Sequence, residues 1–207
     1  MARLYQRRKV SPKVRDGAVQ KKNNHEPTAA LGYVLARESP AKGHRHVVTK
    51  RDVRLLTSII PDWHALAEGI ESIVLTSSGD DHDGRYQFFP REKTASIQIP
   101  AWEGELWKVL APEYFREHSS IFRLLGVSSE VRSDGVECRF TLGQAKAFLL
   151  LHVFLHELGH HVDRMESKAQ VTSRRGENFA EDYANSTCNL IWSAYLRLFG
   201  DPRREAL

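Results

Sequence analysis

From Phe148 to Val162 the chain is apolar at most positions, with Leu149, Leu150, Leu151, Val153, Phe154, Leu155 and Leu158 between those ends. The run holds no proline and predicts a helix over Gln144–Met165. A helix that is apolar on nearly every side belongs at the centre of a domain. Polar groups there are costly unless a hydrogen bond or a bound ligand satisfies them. The interruptions therefore matter more than the run, and His156-Glu157-Leu158-Gly159-His160 reads His-Glu-x-x-His. Residues i and i+4 share a helix face, so both imidazoles can converge on one ion with Glu157 beside the first. Gly159 costs about 1 kcal/mol relative to alanine inside a helix. Close approach of another backbone would explain it.

Neutral imidazole is a good zinc ligand, and a catalytic zinc site takes three protein ligands and leaves a position for water. Glu157 is placed to accept that water's proton as it attacks a carbonyl. The third ligand has three candidate sources. In the metzincin pattern His-Glu-x-x-His-x-x-Gly-x-x-His a histidine follows closely, but here Asp163 and Glu166 stand where glycine and the last histidine belong. Asp163 itself, three residues past His160, is better placed to accept a hydrogen bond than to reach the same ion. The third source is a last helix predicted over Glu177–Phe199, turned back by a loop at Ser173–Gly176. Glu177 and Glu181 sit at i and i+4 on its first turns. On spacing alone both stay open.

The words Phe179-Ala180-Glu181-Asp182-Tyr183-Ala184, following this His-Glu-x-x-His, resemble the glutamate helix of gluzincin metallopeptidases. The wording is similar to the anthrax lethal factor-like branch and more loosely to ImmA-type peptidases. The resemblance spans residues 148–190. It implies His156, His160 and Glu181 as Zn2+ ligands, Glu157 as general base, and a protein or peptide substrate. Glu177 is the competing ligand, with Glu181 beside it, which would be similar to the Glu-x-x-x-Asp arrangement of thermolysin-like enzymes. The Phe-Ala-Glu context favours Glu181. A tyrosine that some lethal factor-like enzymes carry seven residues before the glutamate is replaced by Arg174, leaving the oxyanion-stabilising group unassigned. The implied fold is α+β and zincin-like: a short mixed sheet on the buried active-site helix, followed by the glutamate helix. Strand Thr94–Ile99 would be the sheet edge bordering the cleft.

The rest of the chain fits a single domain at residues 28–207. Thr49 can cap a short helix stopped by Pro61, with a second in Asp62–Glu68. Glu71–Thr76 reads as a strand, and Arg85–Phe89 with Thr94–Ile99 as a hairpin around Pro90–Lys93. Asp80, Asp81 and Asp83 read as a turn, since the closing glutamate of a calcium loop is missing. Residues 112–125 form a helix between Pro112 and Gly126, Ser129–Gly135 a loop, and Val136–Phe140 a strand. His152 reads as a hydrogen-bonded core or cleft histidine, and His161 as exposed or supporting the ligands from outside.

Residues 1–24 carry eight Lys/Arg against Asp16, so the net charge of +4 belongs to this tail and the remainder is net negative. Residues 1–27 are expected to be a basic, disordered tail, too poor in apolar residues to fold alone. Any nucleic-acid contact would come through it. An alternative function is a non-proteolytic regulatory protein on the same fold, with the tail on nucleic acid or an acidic partner. Cys138 and Cys188 have no metal-ligand spacing and read as reduced thiols. No secretory h-region and no apolar run of membrane-spanning length occurs, so a cytoplasmic protein without a membrane partner is expected.

Overall fold

The computed structural model describes residues 32–78, 84–167 and 175–204, and the backbone alone of Lys13–Arg15, Ala18–Gln20 and His25–Thr28. The strands are β1 (Lys13–Arg15), β2 (Ala18–Gln20), β3 (His25–Thr28), β4 (Tyr33–Arg37), β5 (His44–Arg45), β6 (Ile70–Thr76), β7 (Arg85–Phe89), β8 (Thr94–Pro100), β9 (Trp102–Glu103), β10 (Trp107–Leu110), β11 (Ser128–Arg132) and β12 (Gly135–Arg139). The helices are α1 (Lys50–Thr57), α2 (Trp63–Leu66), α3 (Pro112–Glu117), α4 (Ser119–Leu125), α5 (Leu142–Phe148), α6 (Phe154–Glu166) and α7 (Gly176–Phe199). Leu149–Val153 joins α5 to α6 as a π-helical turn. The class is α+β, with short sheets. Among the described residues no helix is long and apolar enough to cross a membrane. The expectation of a disordered basic tail falls mostly outside the described residues, apart from the short strands β1 to β3. That of an aspartate turn at 80–83 falls wholly outside them.

A mixed five-stranded sheet in the order β3-β4-β6-β8-β7 carries the centre. β4, β6 and β8 run parallel, while β3 and β7 pair antiparallel at the two edges. The burial of each strand follows its place. β6 (Ile70, Ile73, Val74 and Leu75) and β8 (Ala95, Ile97 and Ile99) are mostly buried and lie inside, flanked by a strand on each side. Arg85–Phe89 is only half-buried and takes the edge. This corrects the expectation for Thr94–Ile99: it is interior, and its hairpin partner β7 borders the cleft. α6 packs against β7, β8 and α7.

Local chemistry sets several helix ends. Thr49 caps α1 through a capping box in which its hydroxyl accepts from the Asp52 amide and Asp52 accepts from the Thr49 amide. Thr141 and Gln144 do the same for α5, and the Gln144 side-chain amide also donates to the Leu125 and Gly126 carbonyls. One residue thus closes the end of α4 and opens α5, locking the two together. The predicted helix 112–125 is interrupted at His118, which separates α3 from α4. Gly126 ends α4 at φ 69°, a left-handed conformation that glycine adopts without a Cβ penalty. The predicted loop Ser129–Gly135 is a strand over most of its length, because β11 pairs with β12 from Ser128–Arg139 to Arg132–Gly135. All five β11 residues are exposed, so no alternation marks it in sequence.

The aromatic side chains of Trp102, Phe122, Phe140 and Phe148 form one cluster with ring separations of 5.0 to 6.3 Å. Cys138 and Cys188 are free and buried. Burial pushes their thiols up to about 11 and about 12.

Candidate metal centre

His152, His156, Glu157 and His160 of the buried helix gather on one wall of a cleft of about 1010 Å³, which is also lined by Tyr86, His118, Glu177 and Glu181. His156 and His160 face each other edge-on, with ring centroids 4.9 Å apart. Glu177 Oε2 lies 3.0 Å from His156 Nε2 and 3.4 Å from His160 Nε2. Donors around tetrahedral zinc at ordinary bond lengths stand roughly 3.3 Å apart. The two imidazoles and this carboxylate therefore have the chemistry and the spacing of a three-ligand set.

Glu181 sits on the other side of His156. Its Oε2 is 3.4 Å from His156 Nδ1 and 3.7 Å from His152 Nε2, while Oε1 accepts from Asn185 at 3.0 Å. The order of the two carboxylates along α7 decides this. Glu177, on the first turn, reaches the Nε2 side of the histidines; Glu181, one turn on, lies beneath the Nδ1 side of His156. The expectation favoured Glu181 as third ligand, whereas the close grouping with both Nε2 atoms belongs to Glu177. Glu181 instead stands where a carboxylate braces a ligating histidine through its second nitrogen.

Two devices place α7. Asp163 is buried, and its Oδ2 accepts the backbone amides of Arg175 at 2.8 Å and Gly176 at 3.3 Å. Its Oδ1 accepts from Arg175 Nε at 2.8 Å. Burial would raise this carboxyl, but the bonds to Arg175 and Gly176 hold it below the usual range. Asp163 thus pins the residue just before Glu177. The other device is Gly159. A Cβ there would meet Ala180 Cα at 2.8 Å and Ala180 O at 3.1 Å, so α6 and α7 cross where neither can carry more bulk. Gly159→Ala gains about 1 kcal/mol of helix propensity but overpacks the crossing, which typically costs about 1–3 kcal/mol. The expected result is a lower urea midpoint. A more stable variant would show that the crossing can open without loss.

Glu157 is buried under the start of β7. A Cβ on Gly84 would lie 2.8 Å from Glu157 Oε1 and 2.6 Å from Val153 Cγ1, so only a glycine lets the strand pass so close. Burial pushes the Glu157 carboxyl up to about 7, against the opposing pull of His156 and of the Tyr86 backbone amide. Burial alone would lower the His156 imidazole, but Glu181, Glu157 and Glu177 outweigh it and hold it above its usual value. Burial lowers His160.

His161, expected to be exposed or supporting, is fully buried. Its Nε2 donates to the Glu68 carbonyl at 2.9 Å and Nδ1 accepts from the Tyr86 hydroxyl at 3.2 Å. Arg164 Nε in turn donates to that hydroxyl. Burial, with Arg164 alongside, lowers His161 to about 4, so it is a neutral strut between α6, β7 and the loop after α2. His152 is buried, stacked on Phe148 at 5.2 Å. Sequence reasoning missed Gly84, Tyr86, His118 and Arg175. Gly84, Tyr86 and His118 come from elements distant in the chain, while Arg175 sits in the loop before Glu177, where its contact with Asp163 marks it.

Comparison with protein-family models, with curated proteins and with solved structures finds no match.

Proposed function

We propose that this chain is a zinc metallopeptidase of gluzincin type on a zincin-like fold, with His156, His160 and Glu177 as metal ligands and Glu157 as general base. The observation that carries the reading is the placement of Glu177 Oε2 within 3.4 Å of both Nε2 atoms of a His-Glu-x-x-His pair. When bound, zinc would polarise the scissile carbonyl and bring the pKa of an attacking water towards neutrality.

The protein's own residues do the rest. Glu157 accepts the proton of the attacking water and returns it to the leaving amine, a task suited to a carboxyl whose pKa burial has brought near neutrality. Glu181 steadies His156 through Nδ1, and Asp163 holds the start of α7 so that Glu177 meets both rings. β7 is the outer strand of its sheet among the described residues and passes beside Glu157, so its edge can take an extended peptide by backbone pairing.

Wild-type protein loaded with one equivalent of zinc is expected to hydrolyse unstructured protein or peptide substrates, to lose activity with a chelator and to regain it with zinc. His156→Ala is expected to lose both the tightly bound zinc and hydrolysis. Activity that survives chelation or His156→Ala would overturn the reading.

A further inference from the structure

We propose that His118, His152 and Glu181 form a second site for a divalent cation of the zinc class, in the same cleft as the first and on the far side of His156. The three residues come from the α3–α4 junction, the π-helical turn and α7. One ligand atom of each lies within 4.8 Å of the others. His152 Nε2 and Glu181 Oε2 are 3.7 Å apart, close to the roughly 3.3 Å between neighbouring donors around tetrahedral zinc.

Each donor is oriented from outside the group. His118 Nδ1 donates to the Tyr114 carbonyl at 2.8 Å, and the ring stacks on Tyr114 at 4.0 Å. That bond fixes the tautomer and leaves Nε2 with its lone pair. A ligating histidine is almost always braced in this way by a carbonyl or carboxylate. The His118 ring meets His152 edge-on at 4.7 Å. Asn185 donates to Glu181 Oε1 at 3.0 Å, which turns Oε2 towards the histidines. His152 is carried on the wide turn Leu149–Val153. Such π-turns inside α-helices occur often at functional sites, because the extra residue re-aims side chains.

Two imidazole nitrogens and one carboxylate oxygen suit zinc and its first-row neighbours; calcium and magnesium take oxygen ligands. His118, His152 and Glu181 all line the cleft, so water can complete the coordination. Glu181 touches both groups, as a ligand in one and as the brace of His156 Nδ1 in the other. Because Nδ1 and Nε2 of His156 face opposite ways, its ring separates the two ions. The second site does not depend on the peptidase reading.

The test is zinc stoichiometry of the full chain by calorimetry and by metal analysis after dialysis, with Co2+ as a spectroscopic probe. Wild type should bind two equivalents. His118→Ala and His118→Gln should each bind one, with unchanged near-ultraviolet circular dichroism. Glu177→Ala should also keep one, now at the second site, and its Co2+ d–d bands should vanish in Glu177→Ala/His118→Ala. One equivalent in wild type that His118→Ala leaves intact overturns the second site. So does a second equivalent that persists in both His118 variants, which would be adventitious surface binding. Two equivalents that respond as expected, in a protein with no hydrolysis, would sink the peptidase reading and leave this site standing.

Discussion

Glu157→Gln is expected to bind its first zinc as tightly as wild type and to hydrolyse peptides roughly 10²–10⁴-fold more slowly, the usual contribution of a general base. In barrier terms this is about 3–5.5 kcal/mol. The expectation rests on shape as much as on charge. Glu157 is enclosed by Val153, the Gly84 backbone and the Tyr86 amide, and glutamine has nearly the same outline. The variant should therefore fold and keep His156 and His160 in place, while losing the carboxylate assigned as proton acceptor. Zinc competition against a chelator and kcat/KM on a quenched peptide check both halves. Hydrolysis at the wild-type rate would remove Glu157 as base.

The second large effect separates the two glutamates. Glu177→Ala should lose the first zinc and with it hydrolysis, because a ligand and its charge disappear together. Removal of an outer partner of a metal site costs 10–100-fold in affinity. Glu181→Ala should therefore bind the first zinc roughly 10–100-fold more weakly and recover activity at higher zinc. Chelator competition on both variants gives the comparison. If Glu181→Ala abolishes the first zinc and Glu177→Ala merely weakens it, the roles are reversed. The outcome also reports on Asp163, whose bonds to the Arg175 and Gly176 amides fix where Glu177 begins.

The helices and strands β6, β7, β8 and β12 were legible because their signals are local, whereas β4, β5, β9 and β10 carried no expectation. Pro112 and Gly126 bracket α3 and α4; Thr49 announces α1; Gly200 ends α7. The hairpin of β7 and β8 shows as two β-rich runs around Pro90–Lys93. β11 escaped notice because it is exposed at every position and has no alternation to read. The break at His118 and the π-turn at Leu149–Val153 escaped for a different reason. Helix periodicity carries no mark of either.

For the candidate metal centre, the sequence by itself determined the pair His156 and His160, the position of Glu157 beside them, and the need for a helix buried on nearly every side. It also placed two carboxylates, Glu177 and Glu181, on one face of the last helix. Helical periodicity is enough for that, since i and i+4 coincide in any α-helix. Which carboxylate meets the Nε2 atoms depends on where α7 crosses α6. That crossing is set by contact between Gly159 and Ala180 and by the anchoring of Arg175 and Gly176 on Asp163. A shift of one helical turn would exchange Glu177 for Glu181, and only three-dimensional contacts fix a helix to better than one turn.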